Sequence, residues 1–212
     1  PGASGSRIAV VGMGGIFPGC ATLDEFWAMV RDGRDASREP PAGRWALEPA
    51  EAYDPRPGTP DRVYSKRACY LGAEHLEIAP ADEDGLPRGL LAQLDPLYRI
   101  VLKAGRAAWR AAATRDLDRR RVGVILGNIA LPTEGANALC RAYLGRTFEE
   151  QVCGAAALGR APSYTAGGGC ATPHPLNRYV TGLPGGLLAH ALGLGGGSLT
   201  LDAACASSLY AI

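Results

Sequence analysis

A short strand that runs through a turn of small residues into a helix, close to residue 205, constrains this chain more than any other segment. Residues 198–201 alternate two leucines with serine and threonine, which is the pattern of a strand. Asp202 opens the turn, and Cys205 lies where the strand is predicted to give way to a helix over residues 206–209. The segment therefore predicts a cysteine whose thiol projects from a sharp turn toward a substrate, as the serine hydroxyl does in nucleophile elbows.

Cys205 has two interpretations on chemical grounds alone. The unpaired N–H groups and the dipole of a helix start favour a thiolate, which would make Cys205 a nucleophile. Free cysteine is also among the most frequently buried residues, so a core cysteine fits the pattern equally well. The small residues from Ala203 to Ser208 indicate in either case a helix that is buried and packed on several sides.

The rest of the chain alternates predicted strands with predicted helices. Residues 8–11 and 122–126 are apolar runs followed by glycine, which is typical of buried parallel strands. The glycines after the first run do not form a dinucleotide fingerprint, because Phe17 occupies the position of its third glycine. This alternation predicts an α/β fold with a mainly parallel sheet and flanking helices.

A capping box marks the first predicted helix. Thr22 is followed three residues later by Glu25, and a glycine stops the apolar pattern. Residues 34–66 then lack periodicity and are rich in proline, glycine and arginine, so they predict an extended excursion over the surface. Trp45 and Tyr53 are expected to anchor that excursion.

The strongest helical pattern begins at Asp95, an N-cap followed by proline at the first helical position. One face of this helix is basic and is predicted to lie in solvent. That face carries Arg99, Lys103, Arg106 and Arg110. Two further helices are predicted over residues 132–151 and 177–194, the second with a break at Gly182 and with His190 in the core.

Composition argues against several classes of protein. Lys and Arg total 22 against 21 Asp and Glu, so a strongly basic nucleic-acid binder is not predicted. The cysteines contain no C-x-x-C pair, which predicts reduced thiols in a cytoplasmic protein rather than a disulfide scaffold or a zinc ribbon. Cys170 and His174 are too few for a metal site, and glycine interrupts the longest apolar stretch too often for a membrane span. The cysteines are Cys20, Cys69, Cys140, Cys153, Cys170 and Cys205.

The turn around Cys205 closely resembles the active-site segment of β-ketoacyl synthases. The chain reads Asp202-Ala-Ala-Cys205-Ala-Ser-Ser-Leu209 where the family usually reads Asp-Thr-Ala-Cys-Ser-Ser-Ser-Leu. The run from Ile8 to Pro18 is similar to the family's opening strand, and Asp95-Pro96 is similar to its Met-Asp-Pro-Gln-Gln-Arg helix. The long excursion resembles that of ketosynthases in multidomain polyketide synthases. Together with residues 127–134 and the run Asp202 to Ser208, it also resembles the ketosynthases of polyunsaturated-fatty-acid synthases.

The resemblance implies a thiolase-like fold of which this chain is the N-terminal half. Residues 1–6 are then a linker, and residues 7–212 are the first part of a β-ketoacyl synthase domain that is truncated after the nucleophile. The expected partners are the remaining half of that domain, a second copy in a homodimer and an acyl carrier protein. The fragment alone is expected to be inactive, since the family's catalytic histidines lie in motifs beyond residue 212. It is also expected to be unstable, since the helix after Cys205 and the strand before it would lack packing partners.

The resemblance also implies an activity for Cys205. The thiol would take an acyl chain from the phosphopantetheine of an acyl carrier protein, and a decarboxylated malonyl thioester would then attack that acyl group. No cofactor is expected to bind this segment itself. Two alternatives remain at this point: a non-catalytic ketosynthase-like chain-length or scaffold subunit, and a thiolase-type acyltransferase.

Overall fold

The computed structural model divides the chain into two compact units, which are described separately. The smaller unit is Gly15–Glu77, and the larger unit combines Pro1–Gly14 with Ile78–Ile212. The residues that the structure describes are 8–45, 47–78, 85–129, 131, 133–154 and 174–212.

The smaller unit contains three short helices, and the first has the predicted N-cap, Thr22, whereas Glu25 bonds to the residue before that cap rather than to Thr22. Thr22 Oγ1 accepts a hydrogen bond from the Glu25 backbone N–H at 3.2 Å, and the Glu25 carboxylate accepts one from the Ala21 N–H at 2.7 Å. The first helix therefore begins where the sequence predicts. The helices are α1 (Leu23–Arg31), α2 (Pro49–Ala52) and α3 (Ala73–Leu76).

The excursion over residues 34–66 contains the short helix α2, and side chains at both predicted anchors hold it. The indole N–H of Trp45 donates to the Tyr70 hydroxyl at 3.1 Å, and Lys66 lies over the ring of Tyr53, 5.2 Å from its centroid. Both predicted anchors are half-buried. Contacts of the aromatic side chains of Trp45 and Tyr53 thus help to hold this segment in place.

The larger unit is built around two parallel strands with helices packed against them. The strands pair in the register Val124 with Ser198 to Gly127 with Leu201. Residues 128–197 lie between the strands, as a parallel crossover requires. In chain order the elements are α4 (Leu90–Gln93), α5 (Pro96–Ala111), β1 (Val124–Gly127), α6 (Glu134–Cys153), α7 (Leu183–Ala191), β2 (Ser198–Leu201) and α8 (Ser207–Tyr210).

Helix α7 joins the sheet to the core. It packs against β1, β2 and α5, and Gly185 faces Leu126 of β1 so closely that an added Cβ would lie 3.3 Å from the leucine Cβ. Both strands are only half-buried, however, since the register partners Ile125 and Leu199 share the opposite, exposed face. The prediction of a fully buried β1 is therefore wrong for that face. The core consists of Leu91, Leu94, Tyr98, Leu102, Val180, Leu188 and Leu192.

A buried carboxylate links the starts of two long helices. Asp95 is 3% exposed, and its Oδ1 accepts from the Leu97 N–H of α5 at 3.0 Å. Its Oδ2 accepts from the Gly135 N–H of α6 at 2.6 Å. The Asp95 N–H in turn donates to the Asn177 side-chain oxygen at 2.8 Å. The predicted N-cap of one helix is thus shared by two, each of which presents unpaired N–H groups there.

Tyr98 is buried beside this carboxylate, and burial raises the pKa of its phenol to about 12, with the charge of Asp95 contributing. An unfolded tyrosine ionises near pH 10. The contribution of the neutral phenol to stability is therefore complete below pH 10 and is lost as the pH rises toward 12.

We expect the free energy of unfolding, measured by denaturant titration from pH 9 to 12, to fall over that window and to fall less in Tyr98→Phe. An exposed control, Tyr210→Phe, should retain the full decrease.

The predicted strand over residues 8–11 does not form. Val10 is 78% exposed, and within the described part of the chain no strand pairs with this segment. The glycines that follow it pack against α5: a Cβ at Gly12 would lie 2.7 Å from the Ala108 carbonyl oxygen, and one at Gly14 would lie 2.7 Å from that of Ala104. The glycines thus serve a close approach to a helix rather than a turn after a strand.

The basic face of α5 does not lie in solvent as predicted. Arg106 is 8% exposed, Arg99 and Lys103 are half-buried, and only Arg110 is exposed. Arg106 follows Tyr98 and Leu102 at four-residue spacing, so it lies in line with the buried residues of α5 rather than on the opposite face. Periodicity identifies a polar stripe but does not show how far burial extends into it.

The prediction of His190 in the core is also wrong. The buried positions of α7 include Pro184 and Leu188, which are four residues apart and share one face of the helix. His190 is two residues beyond Leu188, on the opposite side, and is exposed.

No helix in the described ranges is long and apolar enough to cross a membrane.

Candidate active site

Cys205 lies where the sequence places it, between strand and helix. It is the middle residue of a 3₁₀ turn, Ala204–Ala206, that connects β2 to α8. Its thiol is unbridged and exposed. In the part of the chain that the structure describes, Cys205 accepts and donates no hydrogen bond, through either its sulfur or its amide. The sulfur and the backbone N–H of Cys205 are therefore both available to contact a bound molecule.

The residue before the cysteine has an unusual backbone. Ala204 has φ +48°, in the left-handed region that residues with a side chain rarely adopt. That conformation costs about 1–2 kcal/mol in a non-glycine residue, so the surrounding contacts must hold it. The Asp202 carboxylate supplies one of them, because its Oδ1 accepts from the Ala204 N–H at 2.9 Å.

Ser207 supplies the other contacts. Its hydroxyl oxygen accepts from the Ala203 N–H at 2.9 Å, and the hydroxyl donates to the Ala204 carbonyl oxygen at 2.7 Å. The Ser207 backbone N–H donates to the same carbonyl. Ser207 is 7% exposed and packs on Gly127, where an added Cβ would lie 2.9 Å from the Ser207 carbonyl oxygen. The turn is therefore docked on the end of β1.

The carboxyl ends of both strands are fixed next to this turn. The Asn128 N–H donates to the Leu201 carbonyl at 3.0 Å, and its side chain donates to the Thr181 carbonyl at 2.8 Å. Thr200 Oγ1 donates to the Gly182 carbonyl at 3.0 Å. Ligands of α/β proteins bind outside the carboxyl ends of the strands, which is where Cys205 lies.

The helix after Cys205 is not buried as predicted. Ser207 is the buried residue of α8, whereas Leu209 and Tyr210 are 75% and 72% exposed. Only the side of α8 that faces β1 is covered by described residues, through Ser207 and Gly127. Small residues around the turn thus serve its contact with one strand.

The histidines form no described group with Cys205. His174 Nδ1 accepts from the Leu176 N–H at 3.3 Å, and His190 is exposed on α7. His75 belongs to the smaller unit, where its Nδ1 accepts from the Gly72 N–H. Cys170 lies outside the described residues. Within the described residues, no three His, Cys, Asp or Glu side chains are placed to hold a metal ion.

Three residues that contribute to the turn differ in how far the sequence reveals them. Ser207 has a detectable cue, because a serine at a helix start often bonds to neighbouring backbone groups. The left-handed conformation of Ala204 has none, since alanine is typical of right-handed helix. The sequence identifies Gly127 only as part of the turn after a strand, and its contact with Ser207 depends on the pairing of β1 with β2.

Comparisons with known proteins agree on one family. The family described as "Beta-ketoacyl synthase, N-terminal domain" matches residues 5–212. The spectinabilin polyketide synthase system protein NorC of Streptomyces orinoci is 31% identical over an alignment 214 residues long, which covers 100% of this chain and 8% of that protein. A mycocerosic acid synthase-like polyketide synthase of Mycolicibacterium smegmatis is 29% identical and is matched by 97% of this chain over 8% of its own length.

Solved structures give the same fold. The structure of a protein named "PfaC Keto synthase-Chain length factor" has a TM-score of 0.77 at 30% identity and matches 95% of this chain and 21% of its own. The ketosynthase from module 6 of the bacillaene synthase of Bacillus subtilis 168 has a TM-score of 0.62 at 23% identity and matches 96% of this chain and 28% of its own. The chain thus spans less than a tenth of these polyketide synthases and less than a third of these ketosynthase chains.

Proposed function

Because this chain belongs to the β-ketoacyl synthase family and has the thiolase-like fold of ketosynthases, we propose that it supplies the nucleophile of a decarboxylative Claisen condensation in chain elongation. Cys205 is that nucleophile. The single observation that supports this role is its exposed, unbridged thiol on a constrained turn at the carboxyl ends of β1 and β2. The core-cysteine interpretation is disfavoured by the same exposure.

The first step is acyl transfer to Cys205. The thiolate sulfur attacks the carbonyl carbon of an acyl thioester carried on the phosphopantetheine of an acyl carrier protein. A new carbon–sulfur bond forms, the carbonyl oxygen becomes an oxyanion, and the carrier thiolate leaves and takes up a proton. The amide N–H of Cys205 is one donor for that oxyanion, as in other oxyanion holes. Its lack of a partner among the described residues leaves it available.

The second step is condensation. A malonyl thioester loses carbon dioxide, and the resulting carbanion attacks the acyl group on Cys205, so that the chain gains two carbons and the cysteine leaves as thiolate. Covalent catalysis thus divides one difficult reaction into two easier ones. Stabilisation of the carbanion requires groups that we do not assign to His75, His174 or His190, because none of them lies in the motifs that carry this role in the family.

The proposed partners follow from this chemistry. An acyl carrier protein delivers both thioesters, and we propose a homodimer, as the family resemblance implies. The relatives named above favour the polyketide type. The narrower resemblance to polyunsaturated-fatty-acid synthases stays a prediction.

A second candidate is a non-catalytic chain-length subunit. It is raised by the similarity to the solved structure whose name joins a chain length factor to a ketosynthase. The exposed thiol of Cys205 favours the catalytic candidate, since a non-catalytic subunit does not need a nucleophile. The two candidates differ in one measurable property, which is the formation of an acyl-enzyme.

Selective alkylation tests the nucleophile directly. We expect limiting iodoacetamide at neutral pH to modify Cys205 of the full-length protein first, because it alone among the described cysteines combines exposure with a constrained strand-to-helix turn. Cys69 and Cys140 are the matched controls, since they are equally unbridged and exposed, and buried Cys20 should react last. Peptide mapping by mass spectrometry gives the order. Equal modification of Cys69, Cys140 and Cys205 would contradict a special reactivity at residue 205.

A further inference from the structure

We infer that Ser207 is a positioning residue that aims the amide N–H of Cys205 at the oxyanion formed during acyl transfer. This inference rests on the proposed function of Cys205. It assigns a role in catalysis to a buried hydroxyl whose hydrogen bonds, among the described residues, are to backbone groups of Ala203 and Ala204 and not to the sulfur of Cys205.

One peptide plane connects Ser207 to the N–H of Cys205. The carbonyl of Ala204 and the N–H of Cys205 belong to the same rigid trans peptide, in which they point in opposite directions. Two donors hold the carbonyl oxygen: the Ser207 hydroxyl at 2.7 Å and the Ser207 backbone N–H. Whatever fixes that oxygen also fixes the direction of the Cys205 N–H on the other side of the plane.

The same hydroxyl also holds the peptide that joins Asp202 to Ala203, while Asp202 holds the peptide between Ala203 and Ala204. The Ala203 N–H donates to Ser207 Oγ at 2.9 Å, while the Ala204 N–H donates to Asp202 Oδ1 at 2.9 Å. Ala204 is thereby kept at φ +48°, which an unsupported alanine would leave for the right-handed or extended region. Loss of the hydroxyl removes one of the two donors to the Ala204 carbonyl and the acceptor of the Ala203 N–H, so the peptides Ala204–Cys205 and Asp202–Ala203 can both rotate.

Two reactions of the same thiol separate this role from a purely structural one. Transfer from an acyl thioester passes through an oxyanion, which needs the aimed N–H. Alkylation by iodoacetamide displaces iodide at a saturated carbon and develops no oxyanion on a carbonyl under attack. A change in the direction of the Cys205 N–H should therefore slow acyl transfer and leave alkylation almost unchanged.

The test compares Ser207→Ala with Ser208→Ala in the full-length protein. Ser208 is the next residue along and is exposed, so it is a matched control. The acyl donor is a short acyl thioester of N-acetylcysteamine, and the modified Cys205 is quantified by mass spectrometry. We expect Ser207→Ala to lower the acylation rate about tenfold or more, within the range for an impaired oxyanion donor, and to change the iodoacetamide rate less than twofold. Ser208→Ala should leave both rates unchanged, and Ser207→Thr, which keeps a hydroxyl, should recover most of the acylation rate.

Each result has a distinct meaning. Equal loss of both rates in Ser207→Ala would overturn the positioning role in favour of general damage to the turn, and unchanged acylation would overturn it outright. A failure of the proposed function looks different, because the wild-type protein would then form no acyl-enzyme at all. A Ser207→Ala protein that still alkylates at the wild-type rate has a folded turn, so the comparison stays valid.

Discussion

Replacement of Cys205 with alanine is expected to abolish acyl loading and condensation in the full-length protein, with a loss of at least about a thousandfold that reflects removal of a covalent nucleophile. The fold should survive, since the side chain is exposed and makes no hydrogen bond within the described residues. Alanine already occupies both neighbouring positions of the turn. Intact-protein mass spectrometry after incubation with an acyl thioester measures the loss.

Cys140→Ala is the matched control for this experiment. Cys140 is also unbridged and exposed, but it lies within helix α6 rather than on a turn. Its replacement should leave acyl loading at the wild-type level. Acyl loading that persists in Cys205→Ala, or a loss in Cys140→Ala of the same size, would assign the nucleophile to another residue.

Asp95→Asn is expected to loosen the first turns of α5 and α6 together. The carboxylate gives one oxygen to each helix, whereas an amide has a single acceptor and would turn its NH₂ toward one of the two donors. A buried hydrogen bond to a charged group is worth about 1.5–3 kcal/mol, so amide exchange in both helix starts should quicken by about ten- to a hundredfold. Hydrogen-exchange mass spectrometry of peptides that cover residues 95–105 and 134–140 measures the effect.

Asp118→Asn is the control for the buried cap. Asp118 also accepts from a backbone N–H, that of Arg120, at the start of the 3₁₀ turn Arg119–Arg121, but its side chain is exposed. Its replacement should leave exchange in α5 and α6 unchanged. Faster exchange in α5 alone would mean that Asp95 caps a single helix and that Gly135 does not depend on it.

The sequence predicts those parts of the fold that depend on near neighbours. The N-cap at Thr22, the N-cap at Asp95 and the turn at Cys205 each involve residues within a few positions of one another, and all three lie where the sequence places them. The helix expected over residues 132–151 forms as Glu134–Cys153 for the same reason.

The remaining features depend on contacts between distant segments. The burial of Arg106 depends on what packs beside α5, and Gly12 and Gly14 approach that helix closely where the sequence predicts a strand and its turn. Neither contact leaves a trace in local periodicity. The candidate site shows the same division: Cys205 is recognised from its motif, whereas the role of Ser207 in the turn becomes visible only through its contacts with Ala203, Ala204 and Gly127.

The packing of Gly12 and Gly14 on α5 limits how this chain can vary. A substitution that creates a clash in a core can often be rescued by a smaller residue on the other side. Here the obstructing atoms include the carbonyl oxygen of Ala108 for Gly12 and that of Ala104 for Gly14, and every residue carries such an atom. No second substitution on the helix can remove this oxygen, so no compensating change can make Gly12 or Gly14 replaceable. The exposed Met13 between them can be substituted.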